Sequence, residues 1–147
     1  MFLETIGSHL PALLGALLLA ILFLQSALDK IFNWSGNLDW LKGHFSKTFL
    51  ASFVTAMLAV LTVLELGTGL MSVVGAIYVI ATGSVAIIFY AAILAALTLL
   101  SLFFGQRIAQ DYPGAAVLVP YFILVLLLIL LTNPYTKVWL GPVLPPG

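Results

Sequence analysis

Residues 48–105 read TFLASFVTAMLAVLTVLELGTGLMSVVGAIYVIATGSVAIIFYAAILAALTLLSLFFG, and Glu65 is the only charged side chain in the run. As one helix, at about 1.5 Å per residue, the stretch would measure about 87 Å, against a bilayer hydrocarbon core of about 30 Å. It must fold back on itself. Two glycine-containing breaks compete: Gly67-Thr68-Gly69 and Thr82-Gly83-Ser84. Breaking at both would leave a piece from Leu70 to Ala81, too short to cross. The second break is therefore taken as the turn. It gives spans at about 49–80 and 85–104, the former long and tilted or kinked near its glycines.

Upstream, Leu10 to Leu28 is a further apolar run, read as a span over about 10–30 with Ser8 as N-cap and Pro11 in the first turn. Residues before it include no Lys or Arg, so it reads as a retained span rather than a signal peptide. Between the first two spans, Leu38, Leu41 and Phe45 recur on one helical face, with Asp39, Lys42 and Ser46 off it. This pattern predicts a short amphipathic interfacial helix over about 37–46, opened by Asn37. Trp34 and Trp40 in the same segment suit headgroup depth, or contact with headgroups or a partner. Downstream, Gly105 to Pro113 reads as a polar connector, and 114–131 as the last span, kinked at Pro120. The Pro-rich tail 132–147 carries Tyr135 and Trp139, which suggest that it stays near the interface.

Composition points the same way. The chain has 147 residues, 63% hydrophobic and 7% charged, where a soluble domain carries about 25% charge. Too few polar residues are present to clothe a soluble domain, and five cations make no phosphate-binding face. Nucleic acid is thus not an expected partner. There is no cysteine, which removes disulfides, thiolate metal sites and thiol redox chemistry. The expectation is an all-α membrane protein: one membrane domain, a bundle of four transmembrane helices, and the interfacial helix between helices 1 and 2. Lys30, Lys42, Lys47 and Arg107 fall on the side of loops one and three, with Lys137 on the other, which places loops one and three in the cytoplasm.

Glu65 is the strongest chemical signal. Half-way along its span it is expected near mid-membrane, where a carboxyl must face the bundle interior or stay protonated. Such a group can pass a proton, hold a cation, hydrogen-bond a quinone, or simply bond a neighbouring helix. Gly69, one turn on, either lets helices approach closely or opens space beside the carboxyl. Ser26 and Lys30 share a face of the first helix, as do Gln25 and Asp29. Lys30 can snorkel to headgroups or reach inward to an acidic group. Arg107 and Asp111, four apart, suggest a local salt bridge, or contact with a headgroup or partner. His9 and His44 form no metal-ligand constellation, so no metal is expected. No cofactor motif occurs, and a bundle of this kind is not expected to catalyse electron transfer alone.

Three segments carry a resemblance. LFLQSALDKIF closes the first span, WLKGHF follows in the amphipathic segment, and ELGTGLMSVVG sets a glutamate before glycines at Gly69 and Gly75. Over roughly residues 20–131 the chain resembles the DoxX family of small four-helix membrane proteins, with Ser26, Lys30, Glu65, Gly69 and Gly75 at matching positions. The resemblance implies a multi-pass protein of a bacterial or archaeal cytoplasmic membrane. Its name-giving relatives are linked to a thiosulfate:quinone oxidoreductase. The expected role is a non-catalytic or quinone-adjacent subunit of a larger membrane redox complex, partnered by the lipid bilayer and other membrane subunits. The alternatives are a purely structural or assembly subunit, or a small carrier of protons or apolar solutes that uses Glu65.

Overall fold

A computed structural model describes residues 1–135. It is helical: α1 (Phe2–Phe32), α2 (Trp34–His44), a 3-10 segment (Phe49–Phe53), α3 (Val54–Thr82), α4 (Ala86–Ile108) and α5 (Tyr112–Thr132). Among the described residues four helical stretches are long and apolar enough to cross a membrane: Phe2–Phe32, Phe49–Thr82, Ala86–Ile108 and Tyr112–Thr132. The chain is a multi-pass membrane protein. Of the Pro-rich tail, Thr132 closes α5; residues 136–147, including Lys137 and Trp139, lie outside the described residues.

The fold-back is made at Gly83. Its φ of 74° is left-handed, and its N–H donates to the Val79 carbonyl at 2.7 Å. A side chain would be strained there, so glycine is the natural helix stop. Gly67 and Gly69 stay inside α3.

Several boundaries differ from the sequence expectation. α1 starts at Phe2, so Pro11 is interior and Ser8 is no N-cap; its hydroxyl donates to the Thr5 carbonyl at 3.1 Å. The added turns are held by packing, because Ile6 joins the core and Thr5 lies beside Gly83. Nor does Asn37 open α2. The break is one residue, Asn33 (φ −119°, ψ 47°), and Asn37 Nδ2 donates instead to the Asn33 carbonyl at 2.9 Å and to Asp29 Oδ2 at 3.2 Å. Leu38 and Leu41 of the expected face are half-buried and Phe45 is buried. The polar connector shrinks to Ala109–Asp111, because α4 continues to Ile108 and Asp111 Oδ1 caps α5 by accepting from the Gly114 N–H at 3.0 Å.

The helices alternate in direction. Along the α1–α3 seam, Thr5 lies by Gly83, Leu24 by Gly69 and Ser26 by Glu65. Along α3–α4, Gly75 lies against Ile88 and Thr68 against Thr98. The core holds Leu19, Phe23, Val79, Ile88, Val125 and Leu128, with Ala16, Ala92 and Ala95 between them. With lipid outside, packing rather than water exclusion holds such a bundle together, and small residues set how closely backbones come. Gly69 is the tightest of these contacts between packed helices. A Cβ there would stand 2.6 Å from Leu24 Cγ and 2.9 Å from the Leu24 backbone nitrogen. At Gly67 the nearest atom would be Leu94 Cδ2 at 3.7 Å. Gly69→Ala should therefore destabilise the protein by about 1–3 kcal/mol through overpacking. Gly67→Ala should be neutral or stabilising, since alanine is the better helix former. Thermal unfolding in detergent, followed by circular dichroism, checks the contrast.

Candidate functional site

The α1–α3 register brings three side chains of the sequence reading into one cluster. Ser26 and Lys30, one turn apart on α1, face Glu65 on α3. Lys30 Nζ lies 2.9 Å from Glu65 Oε2 and donates to Oε1 at 3.2 Å and to Ser26 Oγ at 2.8 Å. Ser26 Oγ in turn donates to Glu65 Oε1 at 3.1 Å. Among the described residues Oε2 receives no hydrogen bond, and the ammonium charge is its counterpart. The Glu65 side chain is 2% exposed and that of Lys30 14%. Lys30 has therefore turned inward rather than snorkelled.

Gly69 is part of this seam, but it opens no space beside the carboxyl: Leu24 fills that position. Its part is to let α1 come close enough for the Lys30 and Glu65 side chains to meet.

The level of the pair along the helices also matters. Glu65 is central in its own helix, yet it lies level with the last turns of α1, not half-way down the bundle. α1 ends at Phe32, while α3 continues back from Glu65 to Val54, about 16 Å further. α1 accompanies only about half of that length of α3, because the chain turns off at Asn33 into α2. The mismatch leaves a cavity of about 600 Å³ between α2, the first half of α3 and the end of α4. Its walls are apolar, with Met57, Leu61 and Leu64 from α3, Leu102 from α4, and Leu41 and Phe45 from the α2 side. Trp40, Phe53, Val60 and Phe104 at its margin are each more than half exposed, so it opens sideways, toward the lipid. Lys30, Asn37, His44, Ser101 and Gln106 supply its polar lining.

His44 and Gln106 did not stand out in the sequence. His44 Nε2 lies 2.7 Å from Gln106 Oε1, which makes Nε2–H the donor, and 3.8 Å from Asp111 Oδ2. Trp40 stacks on the His44 ring at 4.4 Å, and Phe45 packs against Gly105. The far end of α2 is thereby fastened to the α4–α5 corner. The Trp40–His44 spacing on one helical face was visible in the sequence, but its partner across the bundle was not.

Arg107 and Asp111 are not paired with each other among the described residues. Arg107 Cζ lies over the Tyr112 ring at 4.5 Å, and Asp111 caps α5 and faces His44. The reason is geometric: Gln110, with φ 58°, breaks the helix between them, so four residues no longer make one turn. Trp34 opens α2, half-buried and away from the cavity lining. Among the described residues no three metal-ligating side chains cluster.

The fold and the site define a small multi-pass membrane protein with a buried, electroneutral Lys–Glu pair at the edge of an apolar side cavity. Comparison of the chain with protein-family models, curated proteins and solved structures gave no match.

Removing one member of a buried pair strands the other's charge at a cost of about 3–5 kcal/mol, whereas replacing both is far milder. Lys30→Met, which strands the buried carboxylate, should lower stability by about that amount, and Glu65→Leu by less, since Lys30 near the helix end can turn out to the headgroups. The Lys30→Met/Glu65→Leu double variant should regain more than half of the larger loss. A double-mutant cycle from unfolding in detergent measures the coupling.

Proposed function

We propose that the protein binds a lipid-soluble ligand with a neutral, hydrogen-bond-accepting head, a quinone being the chemistry that fits best, in the cavity beneath α2. The observation that carries this reading is that Lys30 borders an apolar, laterally open cavity while its charge is already cancelled by Glu65. An apolar pocket with a few polar groups at one end suits an amphiphile. An anionic head would bring a second negative charge beside Glu65 in a medium that screens poorly. A carbonyl head accepts a hydrogen bond from Lys30 or Gln106 with no such penalty.

The resemblance to the DoxX family supports the same reading. Four of the five positions on which it rests, Ser26, Lys30, Glu65 and Gly69, belong to one α1–α3 seam, while Gly75 packs against Ile88 of α4. On that reading the chain is a quinone-adjacent subunit of a membrane redox complex in a bacterial or archaeal cytoplasmic membrane, and electrons come from a partner subunit. Lys42, Lys47 and Arg107 support a cytoplasmic α2 end by the positive-inside rule. Lys30, buried in its pair, drops out of that count.

Trp40 lines the cavity and is a built-in reporter. Protein in nanodiscs, titrated with a short-chain ubiquinone, should show saturable quenching of tryptophan fluorescence. Trp40→Phe should lose most of that signal. Met57→Trp, which fills the cavity, should abolish saturation by the criterion of ligand displacement. Lys30→Met should weaken binding about tenfold or more, the loss of one charge-assisted hydrogen bond. Quenching that rises linearly and equally in the parent and in Met57→Trp would overturn the reading. Tighter binding of oleate than of the quinone would overturn the neutral-head assignment.

A further inference from the structure

α1 carries a second surface that nothing in the bundle covers. Leu14, Leu18, Ile21 and Gln25 follow one another at steps of four, three and four residues, the spacing of the seam in a left-handed helix pair. All four are exposed, Ile21 the most at 71%. They border a shallow groove of about 540 Å³ that runs to Tyr121 of α5 and shares no residue with the cavity under α2.

Gln25 is out of place on such a face. It lies in the apolar part of α1, outward, and among the described residues its amide makes no hydrogen bond. Two exposed hydroxyls of the other spans satisfy themselves on their own helix: Ser101 donates to the Leu97 carbonyl at 2.9 Å and Thr82 to the Tyr78 carbonyl at 2.7 Å. An amide toward lipid has no such recourse, and an unmet polar group in hydrocarbon is costly. The Tyr121 hydroxyl, in the same groove, also has no hydrogen bond among the described residues.

We propose that this face is the contact between two copies of the chain, α1 against α1, about a two-fold axis along the membrane normal. The proposal stands apart from the ligand reading. All copies in a membrane are inserted in one direction, so such an axis brings each position of α1 to its own equivalent at equal depth. The two Gln25 side chains then meet. A carboxamide, donor and acceptor at once, is complementary to itself; an ammonium or a carboxylate would not be. A single polar residue in an otherwise apolar seam also fixes register and strand number, and a hydrogen bond between spanning helices holds them together.

The chain has no cysteine, so single-cysteine variants read contacts without background. Leu18→Cys and Ile21→Cys, oxidised in native membranes, should give a band at twice the 15.8 kDa of the chain. Val63→Cys and Ile123→Cys, exposed on α3 and α5, should give several-fold less. In a Gln25→Leu background the seam cross-link should fall several-fold, while the melting curve of the helices stays in place. Equal cross-linking at seam and control positions overturns the proposal, as does a seam band at the mass of a different protein. An undiminished cross-link in Gln25→Leu overturns it as well, since the paired carboxamides are what select a second copy.

Discussion

Lys30 and Glu65 must leave water together or not at all. Each alone would be a stranded charge among apolar helices; side by side, with the Ser26 hydroxyl between them, they make a neutral unit. That requirement sets the register of α1 on α3. A slip of one turn would part the charges and drive Leu24 out of the notch at Gly69. From the register follows the level at which α1 ends, and from that level the unaccompanied length of α3. The cavity is thus a consequence of where one ion pair has to sit.

The segment that spans this gap is built differently from the bundle. None of the residues of α2 is buried, and it joins α1 through a single non-helical residue, Asn33. Its attachment lies at its end, where Phe45 is buried against Gly105 and His44 is bound to Gln106 beside Asp111. The bundle is held by interdigitated apolar side chains, this end by a few polar bonds and one aromatic anchor. Such a region opens at lower free energy than a packed core.

The number of spans was legible because apolar runs of bilayer length have few other uses, and Gly83 was legible because a left-handed helix stop favours glycine. What escaped was tertiary. Nothing local marks α1 as extending to Phe2, since those turns are held by half-buried Ile6 packing against the core. The depth of Glu65 depends on where α1 stops relative to α3, which neither helix encodes alone. Lys30 could go outward or inward by its local sequence, and the register decides. The expected Arg107–Asp111 pair rested on helical spacing, and glutamine at position 110 does not advertise the positive φ that breaks it. His44 and Gln106 lie 62 residues apart, beyond the reach of any local pattern.

The separation of Lys30 and Glu65, 35 residues along the chain, bears on how the protein is made. When α1 first enters the membrane its lysine has no carboxylate, and its place at the helix end lets it wait among the headgroups. Only when α3 has been synthesised as far as Glu65, near its middle, can the ammonium be drawn inward and the hairpin of the first two spans close. The residue that anchors the finished structure thus begins as a surface charge, and its burial marks the moment at which two independently inserted helices become one folding unit.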